Sequence, residues 1–181
     1  MTRALPVLLL LCSTCALGAA QQEQLQQEAR ALVQQFVGQL KPQLQQAMQE
    51  GGPTRAIAVC ATAAPTIADS LSESSGWRVR RVSLQQRNAS RAVPDKWERA
   101  VLLQFDASAS AGEKPMNLHL GELPGTRYRY LQAQGAEAIC LTCHGENVAQ
   151  PVIDALQQYY PDDMATGYQL GQVRGAISLS R

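Results

Sequence analysis

Lysine is scarce in this 181-residue chain, which has only three, and the whole count of 16 Lys+Arg against 15 Asp+Glu leaves a formal charge of +1. With no basic stripe or patch, the electrostatic footprint of a nucleic-acid or anionic-membrane binder is missing. Histidine is scarcer still, at two residues, so little conventional acid–base machinery is on offer. Aromatics make up 5% of the chain, and no internal repeat is evident. No apolar run approaches the roughly 20 residues that a membrane-spanning helix needs. Nothing in the length calls for staples, since a domain of this size buries roughly 70% of its unfolded surface. Five cysteines therefore stand out.

Residues 1–20 carry one base, Arg3, a short apolar run from Leu5 to Cys12, and then small residues ending in Gly18-Ala19-Ala20. That pattern predicts a cleaved secretory signal peptide and a periplasmic mature protein. Neither Cys12 nor Cys15 follows a good lipobox, so lipid anchoring is not expected. Cleavage would remove Arg3, Cys12 and Cys15, leaving 15 bases against 15 acids and three cysteines: Cys60, Cys140 and Cys143. An odd number in an oxidising compartment cannot all pair, so at least one has another use.

Residues 21–49 are Gln-rich, with Leu25, Leu32, Phe36, Leu40, Leu44 and Met48 recurring mostly every fourth position, as one face of an amphipathic helix. Pro42 is expected to kink or divide it, and Gly51-Gly52-Pro53 to end it. A second helix follows from Thr54, with Ile57, Cys60, Ala64, Ile67 and Leu71 on its inner face and a bend expected at Pro65. A strand is predicted over Trp77–Leu84. Pro94-Asp95 opens a third helix bearing Trp97, Val101 and Phe105 on one face. Strand-like runs then occupy Met116–Gly121, Arg127–Ala133 and Gln172–Ser180, with a helix around Ile153–Tyr159. The order, helices first and antiparallel strands later, reads as α+β.

The segment Cys140-Leu141-Thr142-Cys143-His144 is CxxCH, the attachment motif of c-type haem. Its two thiols have the spacing for thioether bonds to the two vinyl groups, and the adjacent imidazole supplies an axial ligand. A Cys140–Cys143 disulfide beside a bystander His144 is one alternative; a zinc site, which needs further ligands, is another. The opposite axial position has five candidates: Cys60, His119, Met48, Met116 and Met164. Alternation in Met116-Asn117-Leu118-His119-Leu120 puts His119 on the polar face and Met116 toward the core. Cys60 lies on an inner helical face, where a small buried hydrophobe is the plainer reading. The motif comes far too late in the chain for a small helical cytochrome c. Arg80, Arg81 and Arg87 are the natural counter-ions for haem propionates, with Arg127 or Arg174 behind them. Tyr168 is a further candidate for a hydrogen bond near the iron.

Three stretches in the first half, Ala58-Val59-Cys60 with Ala64-Pro65, Gly76-Trp77-Arg78-Val79-Arg80-Arg81-Val82-Ser83-Leu84 with Arg87-Asn88, and Pro94-Asp95-Lys96-Trp97-Glu98, join three in the second. These are CxxCH-Gly145, Tyr160-Pro161-Asp162-Asp163-Met164-Ala165-Thr166-Gly167-Tyr168, and Gly171-Gln172-Val173-Arg174-Gly175-Ala176. Together, from about residue 50 to the carboxyl end, they resemble the PAS-like c-type haem domain family, which occurs as stand-alone periplasmic proteins and as the sensory part of some histidine kinases. The resemblance implies a PAS-like antiparallel sheet over residues 50–181, one covalent haem, and iron held between His144 and the thiolate of Cys60. His119 does not match the family pattern. Gln85-Gln86 and Ala89-Ser90 depart from it only in a surface loop.

The resulting expectation is a mono-haem c-type protein acting as a sensor of redox state or of a diatomic gas such as CO or NO, through a separate signalling protein. A low-potential electron carrier docking a redox partner is the alternative. A haem peroxidase-like enzyme ranks third, because His144 is already assigned and His119 is the one other imidazole.

Overall fold

The structure, a computed structural model, describes residues 12–181, with side-chain environments from Gly18 onward. Most of the expected leader therefore lies outside the described residues.

Helix α1 spans Cys12–Ser75 and is broken once, at Gly51 (φ −151°) and Gly52 (φ +67°, ψ −161°). Gly52 occupies a region of backbone space that is essentially glycine-only, so the two arms, 12–50 and 53–75, turn back on each other there. Pro53 opens the second arm, where its missing N–H costs nothing. Neither Pro42 nor Pro65 divides its arm, and the dihedrals around both stay helical. Each proline costs its arm one backbone hydrogen bond, about 3 kcal/mol or more in an isolated helix. The apolar faces run on past both prolines, and their burial keeps the arms helical through them.

Four antiparallel strands follow: β1 (Arg78–Val82), β2 (His119–Glu122), β3 (Arg129–Gly135) and β4 (Val173–Ser180), in the order β1-β4-β3-β2. Central β4 is covered on both faces, which is why its sequence reads as a nearly continuous buried run. Ile177 and Leu179 join Phe36, Leu71, Trp77, Tyr128 and Tyr130 under the α1 hairpin. Ala176 joins Val101, Leu102, Phe105 and Leu131 under helix α2 (Lys96–Ser110) on the opposite face. The α+β expectation holds. Residues 21–49, set apart on sequence grounds, share the first of these cores.

Helix α2 begins at Asp95, whose carboxylate accepts the Glu98 N–H while Glu98 reaches back to the Asp95 N–H, a reciprocal capping box. Glu98 is 1% exposed and also accepts from Ser178 Oγ at 2.7 Å, which fastens α2 to β4. One expected strand is corrected. Pro115–Asn117 is a 3₁₀ turn and strand pairing begins only at His119. Met116 is consequently 73% exposed instead of facing the core. Two short helices complete the chain, α3 (Leu141–His144), preceded by a 3₁₀ turn at Ala138–Cys140, and α4 (Gln150–Tyr159). Val152 and Leu156 of α4 pack on Ile57 of α1, with Cys143 and Tyr160 at the edge of the cluster.

Candidate cofactor site

A half-open cavity lies where the closed end of the α1 hairpin, the end of β1 and the α3 segment meet. Leu40, Leu44 and Met48 of the first arm and Ile57, Cys60 and Ala64 of the second form one wall. Arg81 of β1 and Arg174 of β4 form another, and Cys140, Cys143, His144 and Tyr160 complete the ring. About 190 Å³ is within reach of a water molecule's centre, more than ten times the roughly 10–15 Å³ that one buried water occupies on the same measure. A cavity so large, walled by apolar helix on one side and cations on the other, suits a flat amphipathic group bearing anionic arms.

The three thiols are free. The CxxCH stretch is held as a single helical turn, with Gly145 closing it through a hydrogen bond from its N–H to Leu141 O at 2.9 Å. A side chain at position 145 would sit 2.5 Å from that same carbonyl, so glycine is required by the close approach. Among the described residues no three of His, Cys, Asp and Glu gather closely enough to hold a metal ion by themselves.

His144 is presented in one tautomer. Nδ1 lies 2.8 Å from the carbonyl oxygen of Ala165, which can only accept, and Nε2 lies 3.3 Å from Arg87 Nη1, which can only donate. Nδ1 therefore carries the proton and Nε2 the lone pair, the form in which imidazole ligates iron. Burial, with the Arg174 and Arg87 charges adding to it, pushes the imidazole pKa down to about 2 and keeps the ring neutral. Cys60 is drawn two ways: burial raises its thiol pKa, while Arg81, Arg174 and Arg87 pull it down. Burial likewise raises Cys143. Burial and the neighbouring Cys60 push the Tyr160 hydroxyl up to about 12, so it stays a neutral O–H.

Of the five axial candidates, Cys60 and Met48 line the cavity; His119, Met116 and Met164 do not. His119 is at the far edge of the sheet on β2, bonded through Nδ1 to Asn117 O at 2.9 Å and through Nε2 to Arg30. Met164 is exposed. Tyr168 packs edge-on to the His144 ring, with centroids 6.2 Å apart.

The predicted arginines separate by what holds them. Arg80 turns its guanidinium to Val93 O and, at 3.8 Å, to the buried Glu98 carboxylate. Arg87 pairs with Asp163 at 3.2 Å. Arg81 and Arg174 border the cavity with no carboxylate within ion-pair distance among the described residues, and the Arg174 Nε is buried with no partner. Burial and the neighbouring Arg174, both of which disfavour the charged form, lower the Arg81 pKa to about 10. Arg174 is aimed by the backbone. Gln134 pairs with Gly175 and Gly135 with Val173, so Arg174 is the extra residue of a β-bulge. Gly175 makes the bulge possible at φ +151°, where a Cβ would come within 2.6 Å of Val82 O.

Sequence reasoning missed the wall contributed by Leu40, Leu44 and Met48, because nothing local shows that the hairpin folds back over the sheet. It missed Asp163 as well, since the adjacent Asp162 and Asp163 look alike until the fold buries one of them.

The four-stranded α+β fold with CxxCH set into a cavity under a helical hairpin defines the class. The sequence profile of the Tll0287-like family matches residues 18–181, and the chain belongs to that family, as the motif resemblance implied. The crystal structure of the cyanobacterial haem protein Tll0287 is similar throughout, with a TM-score of 0.63 and 25% identity over 90% of this chain and 94% of that one. No curated protein matches.

Proposed function

We propose that this is a periplasmic mono-haem c-type protein, with haem attached through Cys140 and Cys143 and iron held between His144 and Cys60, serving as a sensor of redox state or of CO or NO. The observation that carries the reading is the convergence on one cavity of the CxxCH thiols, a neutral imidazole whose lone pair sits on Nε2, a third thiol, and two guanidiniums with no carboxylate partner among the described residues. The residues fit haem by charge: Arg81 and Arg174 supply two positive charges for two propionates, a match that would relieve two desolvated cations. They fit it by donor chemistry as well. The family relative Tll0287 is itself a haem protein.

Haem bound here would supply one-electron iron chemistry and, wherever an axial ligand leaves, a site for a diatomic gas. Cys140 and Cys143 would anchor it and His144 would ligate through Nε2. Cys60, whose thiol pKa is raised by burial despite the nearby arginines and which bound metal would hold as thiolate, would donate electron density that favours the oxidised state and sets a low potential. Of the two residues that would hold the iron, Cys60, as an anionic thiolate, would be the one held less firmly in the reduced state. Export by the amino-terminal leader is consistent with haem attachment outside the cytoplasm. As a sensor the domain would report to a separate signalling protein.

The test is a redox titration followed by absorption, with CO added to the reduced form, on wild type and Cys60→Ala. Loss of a thiolate-type spectrum in oxidised Cys60→Ala and rapid CO binding by reduced wild type are expected. An unchanged six-coordinate spectrum in both redox states, with no CO binding, would favour the electron carrier.

A further inference from the structure

Arg87 borders the same cavity as Arg81 and Arg174 but is held differently, with Nη1 3.3 Å from His144 Nε2 and the rest of the guanidinium turned into the supporting loop. Its side chain is 15% exposed, and Nε and Nη2 meet Oδ1 and Oδ2 of Asp163, each at 3.2 Å. Nη2 also donates to the carbonyl oxygens of Cys143 and, at 3.1 Å, Ala165. Asp163, 9% exposed, completes a closed circuit by accepting the Ala165 N–H at 2.8 Å. The Ala165 carbonyl is the one that receives the Nδ1–H of His144. Three further backbone bonds stitch the same loop down: Met164 N–H to Gln86 O at 2.8 Å, Gly167 N–H to Gly145 O at 2.9 Å and Tyr168 N–H to His144 O at 2.9 Å. Segments around residues 87, 144 and 165 thus converge on one buried ion pair.

We propose that Arg87 and Asp163 are positioning residues for His144: the pair locks the Ala165 carbonyl in place and thereby fixes the tautomer and direction of the imidazole. This rests on the reading of His144 as a haem ligand. Arg87 belongs with the ligand's support and not with the propionates. The physical basis is the division of labour around a ligating histidine, where the group that accepts the far N–H sets both ring orientation and donor strength. A guanidinium that donates into the same carbonyl also draws off part of its accepting power, so Arg87 holds the imidazole less basic than a free carbonyl would make it. Donation from Nε to Asp163 and from Nη2 to two carbonyls, along fixed directions of one planar fork, is beyond lysine's single nitrogen, so charge alone does not substitute for Arg87.

The experiment compares wild type, Arg87→Lys, Asp163→Asn and Asp95→Ala, each produced with haem attached, by reduction midpoint and by affinity of the oxidised form for added imidazole. Asp95→Ala weakens α2 without touching the loop, and so controls for general loss of stability. Arg87→Lys and Asp163→Asn are expected to shift the midpoint and to bind imidazole at least about tenfold more tightly, while Asp95→Ala matches wild type on both counts. Should one variant fail to accumulate, the other decides. Haem-loaded Arg87→Lys or Asp163→Asn with wild-type midpoint and affinity would overturn the positioning role, as would an equal change in Asp95→Ala. Wild type that carries no haem would instead overturn the underlying assignment of His144, and the positioning role with it.

Discussion

At the scale of single residues, identity and environment have to be read together. Cys60 and Cys143 are both thiols whose pKa is raised by burial, yet Cys60 alone faces three arginines across the cavity. The CxxCH motif was legible because its chemistry is written in adjacent residues, whereas the Arg174 bulge depends on the pairing of β4 with β3. The one local hint was a glycine inside an otherwise apolar strand. Gly175→Ala tests it: at φ +151° and 2.6 Å from Val82 O, the added methyl forces β1 and β4 apart. A loss of about 1–3 kcal/mol is expected from urea unfolding, and a stability equal to wild type would show that the bulge relaxes freely.

Among the elements, helices were more legible than their interruptions. The four-residue recurrence identified both arms of α1, and Asp95 identified the start of α2. The prolines misled because propensity is a local quantity and the arms are held by burial against the sheet, while Met116 was misplaced because a 3₁₀ turn shifts alternation before β2. Removing the cap by Asp95→Ala should cost about 1 kcal/mol in thermal or urea unfolding at neutral pH. Burial works against the Asp95 carboxylate, but bonds from Arg129 and the Glu98 N–H outweigh it, so its pKa lies below 3.8. A lowered carboxylate pKa contributes stability above the unfolded value that is lost as pH falls through the folded one. The gap between wild type and Asp95→Ala should therefore hold from neutral pH to about 4 and close below it. A gap that stayed constant into strong acid would place the effect elsewhere.

For the molecule as a whole, the fold brings three distant parts of the chain to one cavity: the turn of the α1 hairpin, the β1–β4 pair, and CxxCH with its supporting loop. The composition carries no basic stripe, and the same near-neutral balance conceals a local excess, with Arg81 and Arg174 beside the cavity having no carboxylate partner among the described residues. Fold class was readable from element order, but the closure of the hairpin over the sheet is a long-range event with no local sequence signal. An anion seated against those two cations should stabilise the native state by relieving their desolvation. Accordingly, the haem-loaded protein should melt above the haem-free chain in calorimetry, and equal melting temperatures would count against a propionate role for Arg81 and Arg174.

Covalent attachment is the central claim, and intact-mass spectrometry of the protein exported to the periplasm of a haem-c-competent host, read together with absorption of the same sample after denaturation, tests it most directly. The account predicts a chain carrying one haem that survives denaturation, and loss of that mass and colour in the Cys140→Ser, Cys143→Ser double variant. An exported wild-type chain of unmodified mass with no haem bands would contradict it.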